Sequence, residues 1–346
     1  MKMLAAVLRG FGDLRLEEVP VPEVREDDDV LVRVRACGIC ATDYKAIKGI
    51  RKNVSFPSIQ GHEISGEIAA VGAGTKHFRE GDAVIVQPLG HCGICSACRA
   101  GNTHYCEKSF VIGGDGPPDV RNGGFAEYVL TKESTLYAKP ENISFDEAAV
   151  TEPLAGAWKG VIKHSEMQLG DDVVVIGTGS IGALCVGVAK AAGAGTLIAI
   201  DTSDYALQKA VDFGATHTVN CSRENAKARV YEILPEGPDL VVEAAGSIEA
   251  LRLMVDLLRR GTRWNIFGIT THEKFELDGG LAHFLEARMD SSFGTTTESM
   301  IKAIKLMQRG LVNVGKIITH KMPLDRIHEG IELIESGNRA KVIINP

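Results

Sequence analysis

The chain has 346 residues, of which 45% are apolar and 24% charged, as in ordinary globular proteins. This length exceeds what a single core usually holds, so two domains are expected. The formal net charge of −7 argues against a nucleic-acid partner, and no apolar run reaches the ~18 residues of a membrane span. Because Met1 to Arg9 contains no secretory signal, a cytoplasmic location is expected.

The first part of the chain has the pattern of antiparallel sheet. Alternation over residues 30–35 places three valines on one face and Leu31 with two arginines on the other, which predicts a half-buried strand. A short helix is expected between Gly38 and Gly49. Strands are predicted at 64–71 and 81–87.

Two metal-ligating side chains lie in this region, Cys40 and His62. A thiolate and an imidazole make two of the three protein ligands of a catalytic zinc site, which keeps its fourth position open. The alternative is that both are ordinary core residues, because a separation of 22 residues is not specific. Asp43 and Glu63 adjoin them as acceptors that can orient an imidazole N–H. Thr42 offers a hydroxyl that can accept a proton from an alcohol.

A second cluster places four thiols within fifteen residues, with glycines that allow the chain to wrap. They are Cys92, Cys95, Cys98 and Cys106. Four thiolates suit a closed tetrahedral zinc site with no vacancy for substrate, so a structural zinc lobe is predicted at about 90–107. Disulfides are disfavoured in a reducing compartment, and the ferredoxin spacings of iron–sulfur clusters differ from this one.

Three further cysteines are expected to have no chemical role. Cys37 is interpreted as a packed neighbour of the zinc ligand, despite its resemblance to a CxxC pair with Cys40. Cys185 and Cys221 are placed in apolar or helical surroundings, where a thiol is usually inert.

The region after 140 introduces a possible third zinc ligand. Ser144 and Glu147 have the spacing of a capping box, so a helix should begin there. This helix should place residues 148–150 against the core. Glu152 follows in an otherwise apolar stretch, where a carboxylate is costly to bury without a cation. We therefore take Glu152 as the candidate third ligand, the alternative being a solvated helix end.

From Asp172 onward, apolar runs alternate with helical stretches. The runs are Val173–Ile176, Leu197–Ile200, Leu240–Val242 and Trp264–Phe267. A parallel sheet covered on both faces has this pattern. Towards the C-terminus the sequence predicts helices at 298–309 and 324–336 and a strand at 340–344.

A GxGxxG turn follows the first of these runs and opens a helix predicted over 183–192. Its residues are Gly177, Gly179, Ser180, Ile181 and Gly182. Such glycines permit a tight turn and close approach of the backbone to a pyrophosphate at the helix N-terminus. Asp201, at the end of the next run, is placed to bond the adenosine ribose and to repel a 2′-phosphate. NAD is therefore favoured over NADP.

Taken together, these motifs resemble the zinc-dependent medium-chain alcohol dehydrogenase family, in matching order over nearly the whole chain. The motifs are Gly38–Asp43, Gly61–Glu63, the four-cysteine segment, Gly123–Tyr128, Glu152–Ala155 and the glycine turn. Glu152 followed by proline resembles the sorbitol (polyol) and threonine dehydrogenase branch, since the alcohol dehydrogenases place cysteine there.

The resemblance implies an α/β protein with a GroES-like, β-rich catalytic domain over 1–150. It implies a Rossmann domain with a doubly wound parallel sheet over 151–292, which would bind NAD. Residues 293–346 would return to the catalytic domain. A homodimer or homotetramer is expected.

By the same resemblance, Cys40, His62 and Glu152 would hold a catalytic zinc ion. Glu63 would be a nearby carboxylate that binds zinc directly or in exchange with water. One catalytic and one structural zinc ion are expected per chain. Zinc would make a bound alcohol more acidic, so that hydride can leave to the nicotinamide.

Proton release is the point at which this chain departs from the family. Thr42 would begin the proton exit. The family often has a histidine, as a later member of the proton relay, at the position of Lys45. In this chain the proton would therefore leave through water or another group. Lys45 also opens a basic run with Lys48, Arg51 and Lys52. This run is either a solvated face or a lining of the substrate site that selects an anionic alcohol.

The sequence thus predicts an NAD-dependent zinc enzyme that oxidises a secondary alcohol of the polyol, sugar or amino-alcohol type to a ketone. One alternative is a non-catalytic NAD-sensing protein on the same fold. The other is a zinc hydrolase, which would leave the glycine turn without a purpose.

Overall fold

The computed structural model describes residues 1–114, 119–270, 274–336 and 340–346. The chain forms two compact units. The first comprises Met1–Glu152, Gly294–Gln308 and Ile318–Pro346, and the second comprises Pro153–Phe293 and Arg309–Ile317. The sequence assigned all of 293–346 to the catalytic domain, whereas Phe293 and residues 309–317 belong to the second unit. The reason is that Val312, Val314 and Ile317 in this segment are buried, and residues 314–317 contact the helices over 180–191 and 204–213 of the second unit.

Nineteen strands lie in the described ranges. In chain order they are β1 (Lys2–Gly10), β2 (Asp13–Pro20), β3 (Asp29–Gly38), β4 (Ser58–Ile59), β5 (Glu63–Val71), β6 (Ala83–Val86), β7 (Leu89–Gly90), β8 (Phe110–Ile112), β9 (Asp119–Arg121), β10 (Tyr128–Lys132), β11 (Leu136–Ala138), β12 (Val173–Ile176), β13 (Leu197–Asp201), β14 (His217–Asn220), β15 (Leu240–Glu243), β16 (Arg263–Ile266), β17 (Arg288–Ser291), β18 (Ile318–Pro323) and β19 (Lys341–Asn345).

Eleven α-helices lie in the same ranges. They are α1 (Ala41–Ile47), α2 (Ser96–Arg99), α3 (Phe145–Ala149), α4 (Thr151–Trp158), α5 (Ser180–Ala191), α6 (Asp204–Phe213), α7 (Ala226–Ile233), α8 (Ile248–Asp256), α9 (Gly279–Leu285), α10 (Thr297–Gln308) and α11 (Ile327–Ser336). The α3 capping box forms as predicted, with the Glu147 N–H donating to Ser144 Oγ at 3.2 Å. A π-helical segment, Lys159–His164, follows α4.

The first unit is built on a sheet of seven strands in the order β11-β6-β5-β3-β19-β18, with β10 also paired to β3. β3 runs antiparallel to β5, β10 and β19. Smaller sheets, β2-β1-β4 and β7-β8-β9, complete it. Since β19 comes from the end of the chain, the C-terminal strand completes the sheet on which the candidate metal ligands lie.

The second unit contains a six-stranded parallel sheet in the order β14-β13-β12-β15-β16-β17. β12, the first strand of this sheet in chain order, lies in the middle of the sheet. The strand order reverses beside it, as in a doubly wound nucleotide-binding fold. All residues of β12 and β15 are buried, because helices cover both faces. The predicted fold class, a β-rich domain with a doubly wound parallel sheet, is confirmed.

The prediction for one cysteine was wrong. Cys37 and Cys185 are buried, as expected, but Cys221 is exposed. β14 ends at Asn220, and residues 221–225, which lie between it and α7, are all exposed.

No helix in the described part of the chain is both long enough and apolar enough to cross a bilayer.

Candidate functional site

The register of two neighbouring strands places the first two candidate ligands together. β3 ends at Gly38 and β5 begins at Glu63, and these two residues are direct partners in the antiparallel pair. Cys40 follows β3 by two residues, and His62 comes directly before β5. The two side chains therefore meet at one end of the β3–β5 pair although they are distant in sequence.

The buried carboxylate of Asp43 holds this edge together. Its Oδ2 accepts the backbone N–H of Cys40 at 2.8 Å, and its Oδ1 accepts the backbone N–H of Gly61 at 3.2 Å. The same Oδ1 lies 3.4 Å from Nδ1 of His62. Gly61 has φ +95°, which favours glycine, and this turn brings the His62 ring to Asp43. Asp43 thus lies against Nδ1 of the imidazole without a formal hydrogen bond, which leaves Nε2 as the nitrogen available to a metal.

The surroundings of His62 favour a positive charge on its ring. Burial opposes protonation of the ring. The negative charge of Asp43 and the contact of its carboxylate with the ring outweigh burial. Together with Cys40 they raise the pKa of His62 well above its ordinary value. A cation at Nε2 would take the place of that proton. Thr42 Oγ1 lies 3.5 Å from the same nitrogen, and Lys45, half-buried, lies about one turn further along α1.

Three ligand atoms converge here, one each from Cys40, His62 and Glu63, all within 4.8 Å of one another. Glu63 is fully buried, and its Oε1 receives a hydrogen bond from Nζ of Lys341 at 2.6 Å. Lys341, on β19, also donates to the Ile39 carbonyl at 3.3 Å. The second oxygen of Glu63 is buried and has no hydrogen-bond partner among the described residues. The set of sulfur, nitrogen and carboxylate oxygen suits zinc.

The sequence named Glu152 as the third ligand, and it lies outside this group of three. Burial raises the pKa of Glu152 to about 7, although the nearby charge of His62 lowers it. In the described ranges, no hydrogen bond or ion pair is made by its carboxylate. Lys341 already neutralises Glu63, so Glu152 is the carboxylate that still needs a cation. This need keeps Glu152 as our candidate ligand.

The four-cysteine lobe is assembled as a separate centre. The thiols of Cys92, Cys95, Cys98 and Cys106 all lie within 4.8 Å of one another, and none forms a disulfide. Backbone N–H groups of Ile94 and Cys95 lower the pKa of Cys92 to about 6. Burial raises the pKa of Cys98 to about 12, which a metal ion would counteract. Four converging thiols fit a closed structural zinc site.

A third group of potential ligands is an ion-pair cluster. Glu26, Asp28 and Asp29 bring carboxylate oxygens within 4.8 Å of one another. The ammonium of Lys132 pairs with Glu26 and lies 2.6 Å from Asp28 and 2.9 Å from Asp29. Since this lysine already supplies the positive charge, we assign no metal to the group.

The glycine turn of the second unit fits a pyrophosphate. Gly177 has φ +83°, and a Cβ there would lie 2.5 Å from the backbone nitrogen of Ala245. A Cβ on Gly182 would lie 1.8 Å from the Gly177 carbonyl oxygen, so this glycine allows α5 to pack on the turn. Gly179 differs, because a Cβ there would meet nothing within 4 Å. The open space at the start of α5, where Ser180 and Ile181 lie, is the side from which a phosphate can approach.

Asp201 lies at the carboxyl end of β13, next to this turn. Its Oδ2 accepts the Thr178 N–H at 2.7 Å, and its Oδ1 accepts the Ser203 N–H at 2.9 Å. These bonds hold the carboxylate beside the glycine turn. A carboxylate in this position can accept from a ribose hydroxyl and disfavours a 2′-phosphate.

Among the buried charged residues that sequence reasoning missed, two lie at the candidate sites. Lys341 directly precedes an apolar run, Val342–Ile344, and a lysine at the start of a buried strand could have indicated a buried partner. Glu243 ends β15, and its Oε1 accepts the N–H groups of Ala245 and Gly246 at 2.8 and 2.6 Å. It therefore shapes the loop that touches the glycine turn.

Comparison with known proteins identifies relatives of this chain. Residues 26–141 match the alcohol dehydrogenase GroES-like domain, and 180–309 match the zinc-binding dehydrogenase family. The L-threonine 3-dehydrogenase of Anaeromyxobacter sp. (strain Fw109-5) is 32% identical over 100% of this chain and 99% of its own. A zinc-binding dehydrogenase from Sinorhizobium meliloti 1021, solved with NADP, is 30% identical with a TM-score of 0.92, over 100% of both chains. Galactitol-1-phosphate dehydrogenase from Escherichia coli is 27% identical with a TM-score of 0.90, also over 100% of both chains.

The fold, the candidate metal centres and the glycine turn are those of a zinc- and nicotinamide-dependent dehydrogenase. The chain belongs to the zinc-dependent medium-chain alcohol dehydrogenase family. It is accordingly an enzyme of the alcohol dehydrogenase type. This favours the predicted dehydrogenase over the NAD-sensing protein and the zinc hydrolase.

We expect Cys98→Ser to remove the structural metal selectively. After dialysis against a chelator, the variant should retain about one zinc ion per chain where the wild type retains about two. Its thermal unfolding midpoint should fall by more than about 5 °C, because the binding energy of a structural zinc is folding energy. Cys221→Ser, at the exposed thiol, is the control and should match the wild type in both measurements. Equal zinc retention in Cys98→Ser and wild type would contradict the assignment.

Replacement of Glu152 by glutamine should weaken the other metal centre. Loss of a direct ligand should lower zinc affinity by more than the about 10- to 100-fold that follows loss of an outer-shell partner. Metal analysis after graded chelation measures this, with the exposed Glu141→Gln as control. Retention equal to that of the wild type would leave Glu63 as the third ligand and refute the role of Glu152.

Proposed function

We propose that this protein oxidises a secondary alcohol of the polyol, sugar or amino-alcohol type to a ketone, with NAD as the hydride acceptor. The observation that carries the proposal is the convergence of Cys40, His62 and Glu63 at one end of the β3–β5 pair, in a chain that also contains the glycine turn and Asp201. The relatives support this substrate class, since L-threonine and galactitol 1-phosphate are both secondary alcohols.

Zinc, when bound, supplies a Lewis acid for the alcohol oxygen, and the nicotinamide supplies the hydride acceptor. The chain's own residues position and deprotonate the substrate. Cys40, His62 and Glu152 would hold the metal, and Asp43 keeps the His62 ring in one orientation. The hydroxyl of Thr42, 3.5 Å from the His62 Nε2 atom, is placed to accept the alcohol proton.

The route of the proton beyond Thr42 differs from that of a histidine relay. Lys45 lies one turn further along α1 and is half-buried. Burial lowers its pKa, and the positive charge of Arg51 lowers that pKa further. An ammonium has no lone pair with which to accept a proton from Thr42. We infer that the proton passes from the Thr42 hydroxyl to water.

The proposal is tested with a panel of secondary alcohols, including polyols, sugar phosphates and L-threonine, each offered with NAD and with NADP. Formation of reduced nicotinamide is followed by absorbance. We expect turnover with at least one alcohol, and kcat/KM for NAD at least about tenfold above that for NADP. Zinc removal by chelator should abolish turnover, and zinc addition should restore it. Absence of turnover with every alcohol in zinc-loaded protein would refute the proposal.

The preference for NAD depends on the charge of Asp201. Asp201→Asn keeps an oxygen for the Thr178 N–H but removes the negative charge that repels a 2′-phosphate. The ratio of kcat/KM for NAD over NADP should fall by about tenfold or more, because a like-charge contact costs several kcal/mol. Asp256→Asn, at an exposed surface ion pair, serves as the matched control. An unchanged ratio would show that another group selects the cofactor.

A further inference from the structure

A buried carboxylate, that of Glu243, lies at the middle of the parallel sheet in the second unit. Glu243 is the last residue of β15, and its side chain is fully buried. β15 pairs with β12, and the strand order of the sheet reverses between these two strands. In doubly wound sheets a dinucleotide binds in the crevice at this point, outside the carboxyl ends of the strands. Glu243 therefore ends a strand at the edge of that crevice.

The carboxylate binds the loop that follows its own strand. Its Oε1 accepts the N–H groups of Ala245 and Gly246 at 2.8 and 2.6 Å. Gly246 has φ +70°, so the chain turns at this residue. The loop also packs on the glycine turn, because a Cβ at Gly177 would lie 2.5 Å from the backbone nitrogen of Ala245. One side chain thus holds this loop against the glycine turn.

Glu243 also contacts the loop that follows β16. The N–H groups of Phe267 and Gly268 donate to the backbone carbonyl of Glu243 at 2.8 and 3.0 Å. A Cβ at Gly268 would lie 2.6 Å from Oε2 of Glu243 and 2.2 Å from the backbone nitrogen of Gly246. The second loop therefore packs directly on the carboxylate and on the first loop, and a glycine is needed for this approach.

The electrostatics of this contact require both loops. Burial raises the pKa of Glu243, and the backbone N–H groups of Gly246, Ala245, Gly268 and Ser247 act in the opposite direction. A buried carboxylate is costly unless its oxygens accept hydrogen bonds, so the loops that carry these N–H groups are held around it. An amide in its place would direct its NH₂ group at backbone donors.

Both loops present apolar surface at the carboxyl end of the sheet. Ala245 and Ile269 are exposed, and Gly246 lies against the backbone of Ile269. They follow β15 and β16, whereas Asp201 ends β13, on the other side of β12. Because a dinucleotide spans the crevice, an adenosine bound at Asp201 places the nicotinamide half on the side of β15.

We propose that Glu243 is a positioning residue for the nicotinamide half of the cofactor. It fixes the loops after β15 and β16 relative to the glycine turn, so the surface that receives the nicotinamide is formed before the cofactor binds. This inference deepens the proposed function and rests on its nucleotide site. The adenosine half depends on Asp201 and not on Glu243.

The test compares NAD with AMP, which has the adenosine half alone. Each is titrated into the zinc-loaded protein, and calorimetry gives its dissociation constant. Glu243→Gln should weaken NAD binding by about tenfold or more, as expected when hydrogen bonds to a charged group are lost. AMP binding should stay within about twofold of the wild type, because its contacts lie on the other side of β12. Glu249→Gln, in the exposed first turn of α8, is the matched control and should bind both as the wild type does.

A second variant displaces the same loops and keeps the carboxylate. In Gly268→Ala the new Cβ meets the Gly246 nitrogen and Oε2 of Glu243, so the loops must separate. It should show the same selective loss of NAD binding as Glu243→Gln. Gly279→Ala is its control, because a Cβ there would meet nothing within 4 Å.

Two outcomes would overturn the positioning role. One is NAD affinity equal to that of the wild type in both variants. The other is an equal loss of NAD and AMP binding in both, which a general disturbance of the fold would cause. Failure of the dehydrogenase function has a different result, namely no reduced nicotinamide with any alcohol. The two titrations need no turnover and still decide the role of Glu243.

Discussion

The carboxylate of Asp43 is the contact on which the candidate active site depends. One buried side chain accepts the backbone N–H groups of Cys40 and Gly61 and lies against the ring of His62. It therefore joins the start of α1 to the turn before β5, and it lies on the Nδ1 side of the ring, so that Nε2 is the nitrogen available to the predicted metal. A buried carboxylate is costly unless its oxygens are satisfied, so both segments are held where they satisfy it.

A second buried carboxylate, Glu63, shows how the end of the chain contributes to the same site. Glu63 begins β5, and its charge is balanced by Lys341 on β19, a strand that comes from the C-terminus. Without that lysine, a buried negative charge would lie beside Cys40 with nothing to balance it. The pair leaves Glu152 as a carboxylate that forms no ion pair among the described residues, which supports it as a candidate metal ligand.

In the second unit, the shape of the candidate nucleotide site depends on backbone conformation and backbone N–H groups more than on contacts between side chains. Gly177 and Gly182 allow the turn and α5 to pack closely, and Gly179 leaves the helix start open. Asp201 and Glu243 each accept backbone N–H groups and so hold the loops that follow their strands.

Local patterns in the sequence were enough to predict the parallel sheet, the capping box at Ser144 and the grouping of the four-cysteine lobe, because each depends on residues close together in the chain. The sequence could not predict which residues of the C-terminal segment join which unit, nor that Cys221 is exposed, because burial is decided by packing partners elsewhere. It also could not reveal the pairing of Glu63 with Lys341. That contact exists only because β3 pairs with β5 on one side and β19 on the other, and strand register is a property of the tertiary structure.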